Sequence, residues 1–289
     1  MTVYGFLGLG QMGGPMAARL AASGAALAVY DKAGTQARAP SGARHGASEA
    51  EIAALADTVL LSLPDGSAVL GAIGALAGAQ ARRVRTVVDL STIGISASED
   101  AARACAAAGL AFIDAPVSGG ATGARRGTLA VMAAGEAELF ETLRPAFLAM
   151  AKNLFHVGTR PGQGQAMKLL NNFLSGTAMA ATSEAVIFGE ANGLDMKTML
   201  DVLNVSTGQN TATADKFPNR VLTGSFDAGF AAGLMHKDVR LYAENARRAG
   251  TASEVGTLIE AIWRRVQAAG ASEDFTRIYH ALGGKSRRP

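Results

Sequence analysis

Over its first 157 positions the chain alternates short apolar runs with longer Ala-rich stretches. The runs occupy residues 3–7, 26–30, 58–63, 86–90, 111–114, 129–132 and 153–157. Runs of this length and composition, separated by helical stretches, predict a doubly wound parallel α/β sheet with crossover helices. The pattern changes at Gly158-Thr-Arg-Pro-Gly-Gln-Gly164, a Gly/Pro-rich connector, and β alternation stops beyond it. Met167, Leu170, Leu174, Ala178 and Ala181 then recur at helical spacing, which predicts one long helix over 165–192 with Gly193 as its C-cap. Further helices are expected at about 195–204, 233–249 and 254–269. The organisation predicted is an α/β domain over 1–161, then an all-α domain over 162–289 opened by the long interdomain helix. Small residues on that helix (Ser175, Gly176, Ala178, Ala180, Ala181) permit close packing against another helix, so a homo-oligomer, dimer or tetramer, is expected.

The first apolar run ends in Gly8-Leu9-Gly10-Gln11-Met12-Gly13, a helical stretch follows, and Asp31 stands eighteen positions after the third glycine. This is the Rossmann dinucleotide-binding fingerprint in its proper setting. Gly8 allows the tight turn, Gly10 leaves room for a pyrophosphate, and Gly13 lets the helix pack on the sheet. The helix N-terminus offers N–H groups and a positive dipole end to the phosphates. Asp31 can accept from the adenosine ribose and repels a 2′-phosphate, which favours NAD. Lys32 and Arg38 close behind it keep NADP open. In such sheets the ligand lies beyond the carboxyl ends of the strands, where Leu63-Pro64 and Ser91-Thr92 fall. Pro64 reads equally well as a simple strand stop.

Charge and composition narrow the partners. The formal net charge is +3, charged residues make up 18%, and the one basic cluster is the tail Lys285, Arg287, Arg288. A terminal cluster of this kind reads as a solvated end, not a nucleic-acid patch. The single Cys105 allows no intramolecular disulfide and fits a reducing compartment. A strand beginning at Val3 leaves no room for a signal peptide, and no apolar stretch reaches membrane-spanning length. A cytoplasmic protein without membrane partners is expected. His45, His156 and His280 stand apart, and no Cys/His/Asp set has metal-ligand spacing.

Three further motifs could carry chemistry. Asp114-Ala-Pro-Val-Ser-Gly-Gly120 follows a strand end; Ser118 offers a hydroxyl, and the N–H groups of Gly119 and Gly120 could form a nest for a small carboxylate. An ordinary β-turn would use the same residues. Lys168 and Asn172, four apart, project from one helix face. The chain uses Arg 20 times and Lys seven times, so a lysine among Met167, Leu169 and Leu170 stands out. It could serve as acid and base if its pKa fell from about 10.4 toward ~7–8, which arginine cannot do. A snorkelling surface lysine is the alternative. His236-Lys237-Asp238 opens a later helix: Lys237 could reach the cofactor, and Asp238 could orient Lys168 or its neighbours.

In this order, Gly8–Met16, Asp114–Gly120 with Gly127-Thr-Leu129, Gly162–Asn172 and His236–Asp238 resemble the β-hydroxyacid dehydrogenase family over nearly the whole chain. The resemblance implies an NAD(P)-dependent oxidoreductase acting on a small β-hydroxyacid of the 3-hydroxyisobutyrate type, or its semialdehyde. It implies Lys168 as catalytic acid/base, Asn172 as a substrate contact, and Ser118, Gly119 and Gly120 as the carboxylate site. Leu63, Pro64, Thr92 and Lys237 would join Gly8–Gly13 and Asp31 at the nucleotide, in a cleft between the domains. Tyr30-Asp31-Lys32 departs from the Asn-Arg-Ser/Thr of NADPH-using relatives that reduce glyoxylate or succinic semialdehyde. Imine reductases share the fold but usually replace the lysine. Arg125 and Arg126 are expected to face solvent. Two alternatives stay open: reduction of glyoxylate or of tartronate or succinic semialdehyde, and a non-catalytic nucleotide sensor. The remainder of the substrate could meet Phe173, Lys216, Phe217 or Phe230.

Overall fold

A computed structural model describes residues 2–285, so Arg287 and Arg288 of the basic tail lie outside the described residues. The chain packs as two compact units that divide after Lys168. The first contains nine strands: β1 (Val3–Leu7), β2 (Ala26–Tyr30), β3 (Arg44–His45), β4 (Thr58–Leu61), β5 (Thr86–Asp89), β6 (Ala111–Asp114), β7 (Val117–Ser118), β8 (Leu129–Ala134) and β9 (Ala151–Gly158). They form one sheet in the order β3-β2-β1-β4-β5-β6-β8-β7, with β9 also on β8. From β3 through β6 every pairing is parallel, which is the doubly wound arrangement. Beyond β6 the sheet is mixed: β8 runs antiparallel to both β6 and β7. Only Ala115 and Pro116 separate β6 from β7, and Asp114–Ala134, Val117–Val131 and Ser118–Ala130 keep one antiparallel register, so β7 continues β6 in the same direction along β8.

Adjacent strand residues feed two separate cores, one on each face. Phe6, Val29, Leu60 and Val88 join α1 (Gly13–Ala22) and α6 (Ala137–Met150) in one core. Leu7, Ala28, Leu61 and Val87 join α2 (Glu49–Leu55), α3 (Gly66–Ala77) and α4 (Ile95–Ala107) in the other. Side chains alternate sides along a strand, so a sheet buried on both faces needs unbroken apolar runs. Cys105 lies in the second core, where burial and the charge of Asp89 push its thiol up to about 12. A short α5 (Gly120–Arg126) connects β7 to β8.

The second unit is helical. It holds most of α7 (Gln163–Ala191), then α8 (Met196–Leu203), α9 (Ala232–Arg248), α10 (Glu254–Gly270) and α11 (Ile278–Ala281). α7 starts two residues before the predicted position, and Gly193 follows its end with φ +82°. A π-helix over Ala212–Val221 was not expected from the sequence; Asn210 Oδ1 accepts the N–H groups of Ala212 (2.8 Å) and Thr213 (3.1 Å) at its start. Pro218 inside it has no N–H to give, which spoils α-helical bonding there. Trp263, Phe217, Tyr279, Met179 and Val186 centre the core. Among the described residues no helix is long and apolar enough to cross a membrane.

Of the small residues of α7, Gly176 and Ala180 are buried within the unit, Ser175 and Ala178 are half-buried, and Ala181 is exposed. Trp263 Nε1 donates to the Gly176 carbonyl at 3.2 Å, and a Cβ on Gly176 would lie 3.0 Å from both Met235 Sδ and Trp263 Nε1. Ala180 is buried as well, so this side of the helix is used within the unit. The exposed side instead carries Leu174 and Phe188, 60% and 71% accessible. Gly176→Val is therefore expected to overpack the helical core and cost about 1–3 kcal/mol. Urea unfolding checks this; an unchanged midpoint would show slack that the packing does not contain.

Candidate active site

The glycine loop leaves β1 and opens α1. A Cβ on Gly8 would lie 2.2 Å from the Ser62 carbonyl oxygen, and one on Gly13 would lie 1.9 Å from that of Gly8. Those two glycines serve close packing of protein on protein. Gly10 differs, since its Cβ would meet nothing within 4 Å. The space beside Gly10 at the start of α1, next to Gln11 and Met12, suits the phosphates of a dinucleotide.

Asp31, at the end of β2, is tied into this loop. Oδ2 accepts the Leu9 N–H at 2.6 Å and Arg38 Nη1 at 3.3 Å, while Oδ1 accepts the Ala33 N–H at 2.7 Å. Burial works against its charge, but the Leu9 and Ala33 N–H groups and Arg38 outweigh it and hold the carboxyl below the usual range. An ionised carboxylate has about four acceptor sites, so Oδ1 keeps capacity for a ribose hydroxyl. These residues fit a nicotinamide dinucleotide. Arg38, half exposed beside the carboxylate, reduces its repulsion of a 2′-phosphate.

The next two strand ends are knitted together. Leu63 N–H donates to Ser91 Oγ at 2.9 Å, and Ser91 N–H donates to Asp89 Oδ1 at 3.0 Å. Leu63, the exposed Pro64 and the half-buried Thr92 thus occupy the carboxyl ends of β4 and β5, on the edge where the glycine loop leaves β1. Ser118 ends β7 opposite Ala130. Gly119 and Gly120 follow with φ +127° and +63°, a backbone that glycine adopts without strain. Arg125 and Arg126 are exposed.

One strand further along, Asp114 fixes the start of α7. Its Oδ1 accepts the Gly162 N–H and its Oδ2 the Gln165 N–H, both at 3.0 Å. Burial pushes its carboxyl up to about 6, against the opposing pull of the N–H groups of Gln165, Gly162 and Gly164. Lys168 follows within the first unit and is 7% exposed, which removes the snorkelling-lysine reading.

Asn172 belongs to the second unit. There its Nδ2 donates to Asp238 Oδ2 at 2.6 Å, both residues are buried, and Lys237 Nζ lies 3.6 Å from Asp238 Oδ1. Of the four residues considered for the rest of a substrate, Phe217 is wholly buried in the helical core. Phe230 packs edge-on to Phe275, Phe173 stacks on Tyr242 at 4.0 Å, and Lys216 pairs with Asp215. No group of three or more metal-ligating side chains occurs among the described residues. One contributor went unread in the sequence: Gln165, whose placement in a turn of helix rich in glutamine carries no distinguishing pattern.

Residues 3–158 match a family model described as the NAD binding domain of 6-phosphogluconate dehydrogenase. Residues 162–282 match one described as NAD-binding of NADP-dependent 3-hydroxyisobutyrate dehydrogenase. The chain is 37% identical to a 3-hydroxyisobutyrate dehydrogenase of Pseudomonas aeruginosa, covering 99% of this chain and 100% of that one. It is 35% identical to an NAD-dependent L-serine dehydrogenase of the same organism, with 96% and 97% coverage. Among solved structures, a Mycobacterium tuberculosis 3-hydroxyisobutyrate dehydrogenase with L-serine superposes with a TM-score of 0.89, at 30% identity over 98% of this chain and 100% of that one.

The raised value of Asp114 has a consequence for stability. Because the folded protein holds this proton more tightly than the unfolded chain, the contribution is greatest below the ordinary carboxylate range. It declines as pH rises through about 6. The size is roughly 3 kcal/mol across that window. Urea unfolding of wild type and Asp114→Asn between pH 4 and 7 should show a stability difference that shrinks as pH rises; parallel curves would contradict it.

Proposed function

The chain belongs to the β-hydroxyacid dehydrogenase family, and from that premise we propose that it oxidises a small β-hydroxyacid of the 3-hydroxyisobutyrate type, or reduces the matching semialdehyde, with Lys168 as general acid–base. It is an NAD(P)-dependent oxidoreductase. The observation that carries the reading is a lysine only 7% exposed, in the unit that holds the glycine loop, on a helix whose start is bonded to the sheet. A nucleotide sensor would have no use for a lysine so placed.

When bound, the nicotinamide supplies the acceptor or donor of hydride. Lys168 handles the proton. Neutral, it takes the proton from the substrate hydroxyl during oxidation; protonated, it returns one to the carbonyl oxygen during reduction. Ser118 Oγ and the N–H groups of Gly119 and Gly120 would hold the carboxylate. Asn172, held by Asp238, would orient the substrate hydroxyl from the same helix face as Lys168. 3-Hydroxyisobutyrate and L-serine, named for two relatives, both carry a carboxylate and a β-hydroxyl, which is the chemistry these groups fit.

Asp31 supports NAD as the preferred cofactor, with NADP possible through Arg38. The exposed apolar side of α7 around Leu174 and Phe188 supports a homo-oligomer, and the inert buried thiol of Cys105 is in keeping with a cytoplasmic setting.

Lys168→Ala is expected to lower kcat by about 10²–10⁴-fold while NADH still binds. Steady-state assays with 3-hydroxyisobutyrate and L-serine, beside calorimetric titration with NADH, read both quantities. Wild-type turnover in that variant would sink the mechanism. Comparing kcat/KM with NAD and NADP tests Asp31: NAD should be favoured, and Asp31→Asn should narrow the difference.

A further inference from the structure

We propose that Gln165 is a positioning residue that registers the Lys168 turn of α7 against the loop at the carboxyl end of β5. The proposal rests on the reading of Lys168 as the proton carrier and goes beyond it. The Gln165 side chain is wholly buried. Its Oε1 accepts the N–H groups of Ile93 at 2.9 Å and Gly94 at 3.2 Å, and its Nε2 donates to the Ser91 carbonyl at 2.9 Å. An amide oxygen has two lone pairs, so the acceptor is fully used. The Gln165 backbone N–H is held separately by Asp114.

The loop so gripped carries Thr92, and Ser91 passes the connection on to Leu63 through its hydroxyl. One side chain therefore links the lysine helix to both strand-end loops proposed to meet the nucleotide. Gln165 and Lys168 are three residues apart and lie on neighbouring positions of the same helix face. The intervening backbone is pressed close: a Cβ on Gly164 would lie 2.5 Å from the Met132 carbonyl oxygen and 2.7 Å from Asp114 Oδ2. A displacement of about 1 Å at a reacting group costs about 10²-fold in rate, so the grip on this turn bears directly on catalysis.

The chemistry of the socket is selective. It needs an acceptor for two N–H groups and a donor for one carbonyl. Leucine fills the volume and satisfies none of them. Protonated glutamic acid reproduces the amide, with its carbonyl oxygen accepting and its O–H donating to Ser91. Once ionised, it sets a second oxygen against the Ser91 carbonyl and repels it.

Gln165→Leu, Gln165→Glu and Lys168→Ala, studied together, test the assignment. With 3-hydroxyisobutyrate and L-serine as substrates, Gln165→Leu should lower kcat about 10- to 100-fold, with KM changed less than about threefold. It should also weaken NADH binding several-fold by calorimetry, whereas Lys168→Ala leaves that affinity unchanged. For Gln165→Glu, kcat relative to wild type should be highest near pH 6 and fall as pH rises. Asp89, Asp114 and Lys168 lie near the socket, and the ionised carboxylate of Gln165→Glu favours their protonated forms. NADH affinity is therefore read over the same pH range, and it should weaken together with kcat as that carboxyl ionises. If Gln165→Leu does not fold, this ratio decides. A flat ratio overturns the proposal, as do wild-type kcat and NADH affinity in Gln165→Leu beside an inactive Lys168→Ala. Turnover by Lys168→Ala instead overturns the acid–base reading itself.

Discussion

The buried carboxylate of Asp114 is the constraint from which the candidate site follows. It ends β6 with no exposed surface and accepts N–H groups from Gly162 and Gln165, the residues that bring the chain into α7. A helix start leaves its first N–H groups without intrahelical partners, and Asp114 supplies them from the sheet. The direction of α7, and with it the place of Lys168, is set by a side chain fifty residues earlier. Gly164 is the sequence cost of that proximity, because no larger residue fits between Asp114 and the Met132 carbonyl.

Two carboxylates at the carboxyl ends of β2 and β6, with three strands between them, show how environment divides their roles. Both Asp31 and Asp114 bind backbone N–H groups. Asp31 also has Arg38 and stays ionised more readily than usual, which suits a group facing hydroxyls of a nucleotide. Asp114 lies deeper, accepts the N–H groups of Gly162 and Gln165, and holds its proton up to about 6. Both accept from the chain, and under the proposed function Asp31 also keeps acceptor capacity for a ligand.

Much of this was legible in the residues. Strands buried on both faces are apolar over most of their length, so β1, β2, β4, β5, β6 and β8 announced themselves, as did the long period-3.6 stretch of α7; β9, which exposes Lys152, Asn153 and Phe155, showed only as a short run over 153–157. Pieces set by tertiary contact did not. The two-residue β3, Arg44–His45, is exposed and has no strand pattern; β7 lies in what reads as a turn; and the π-helix depends on Asn210 and Pro218. Of the small residues of α7 that read as a surface for a second chain, Gly176 packs under Trp263, while Ala181 stays exposed. At the site, the glycine loop and Asp31 were readable because backbone approach demands them. Gln165 was not. Gln163, two residues earlier, is chemically identical and merely caps the Arg160 N–H at 2.9 Å, so only the fold tells the two apart.

The central claim is that an amine at position 168 carries the proton of the substrate hydroxyl. Rescue of Lys168→Ala by small primary amines in solution addresses it most directly. The account predicts that added methylamine or ethylamine restores turnover in proportion to the free-base concentration during oxidation, with no effect on the wild type. A variant that stays inactive at every amine concentration while binding NADH normally, or one that turns over fully without any amine, would contradict it.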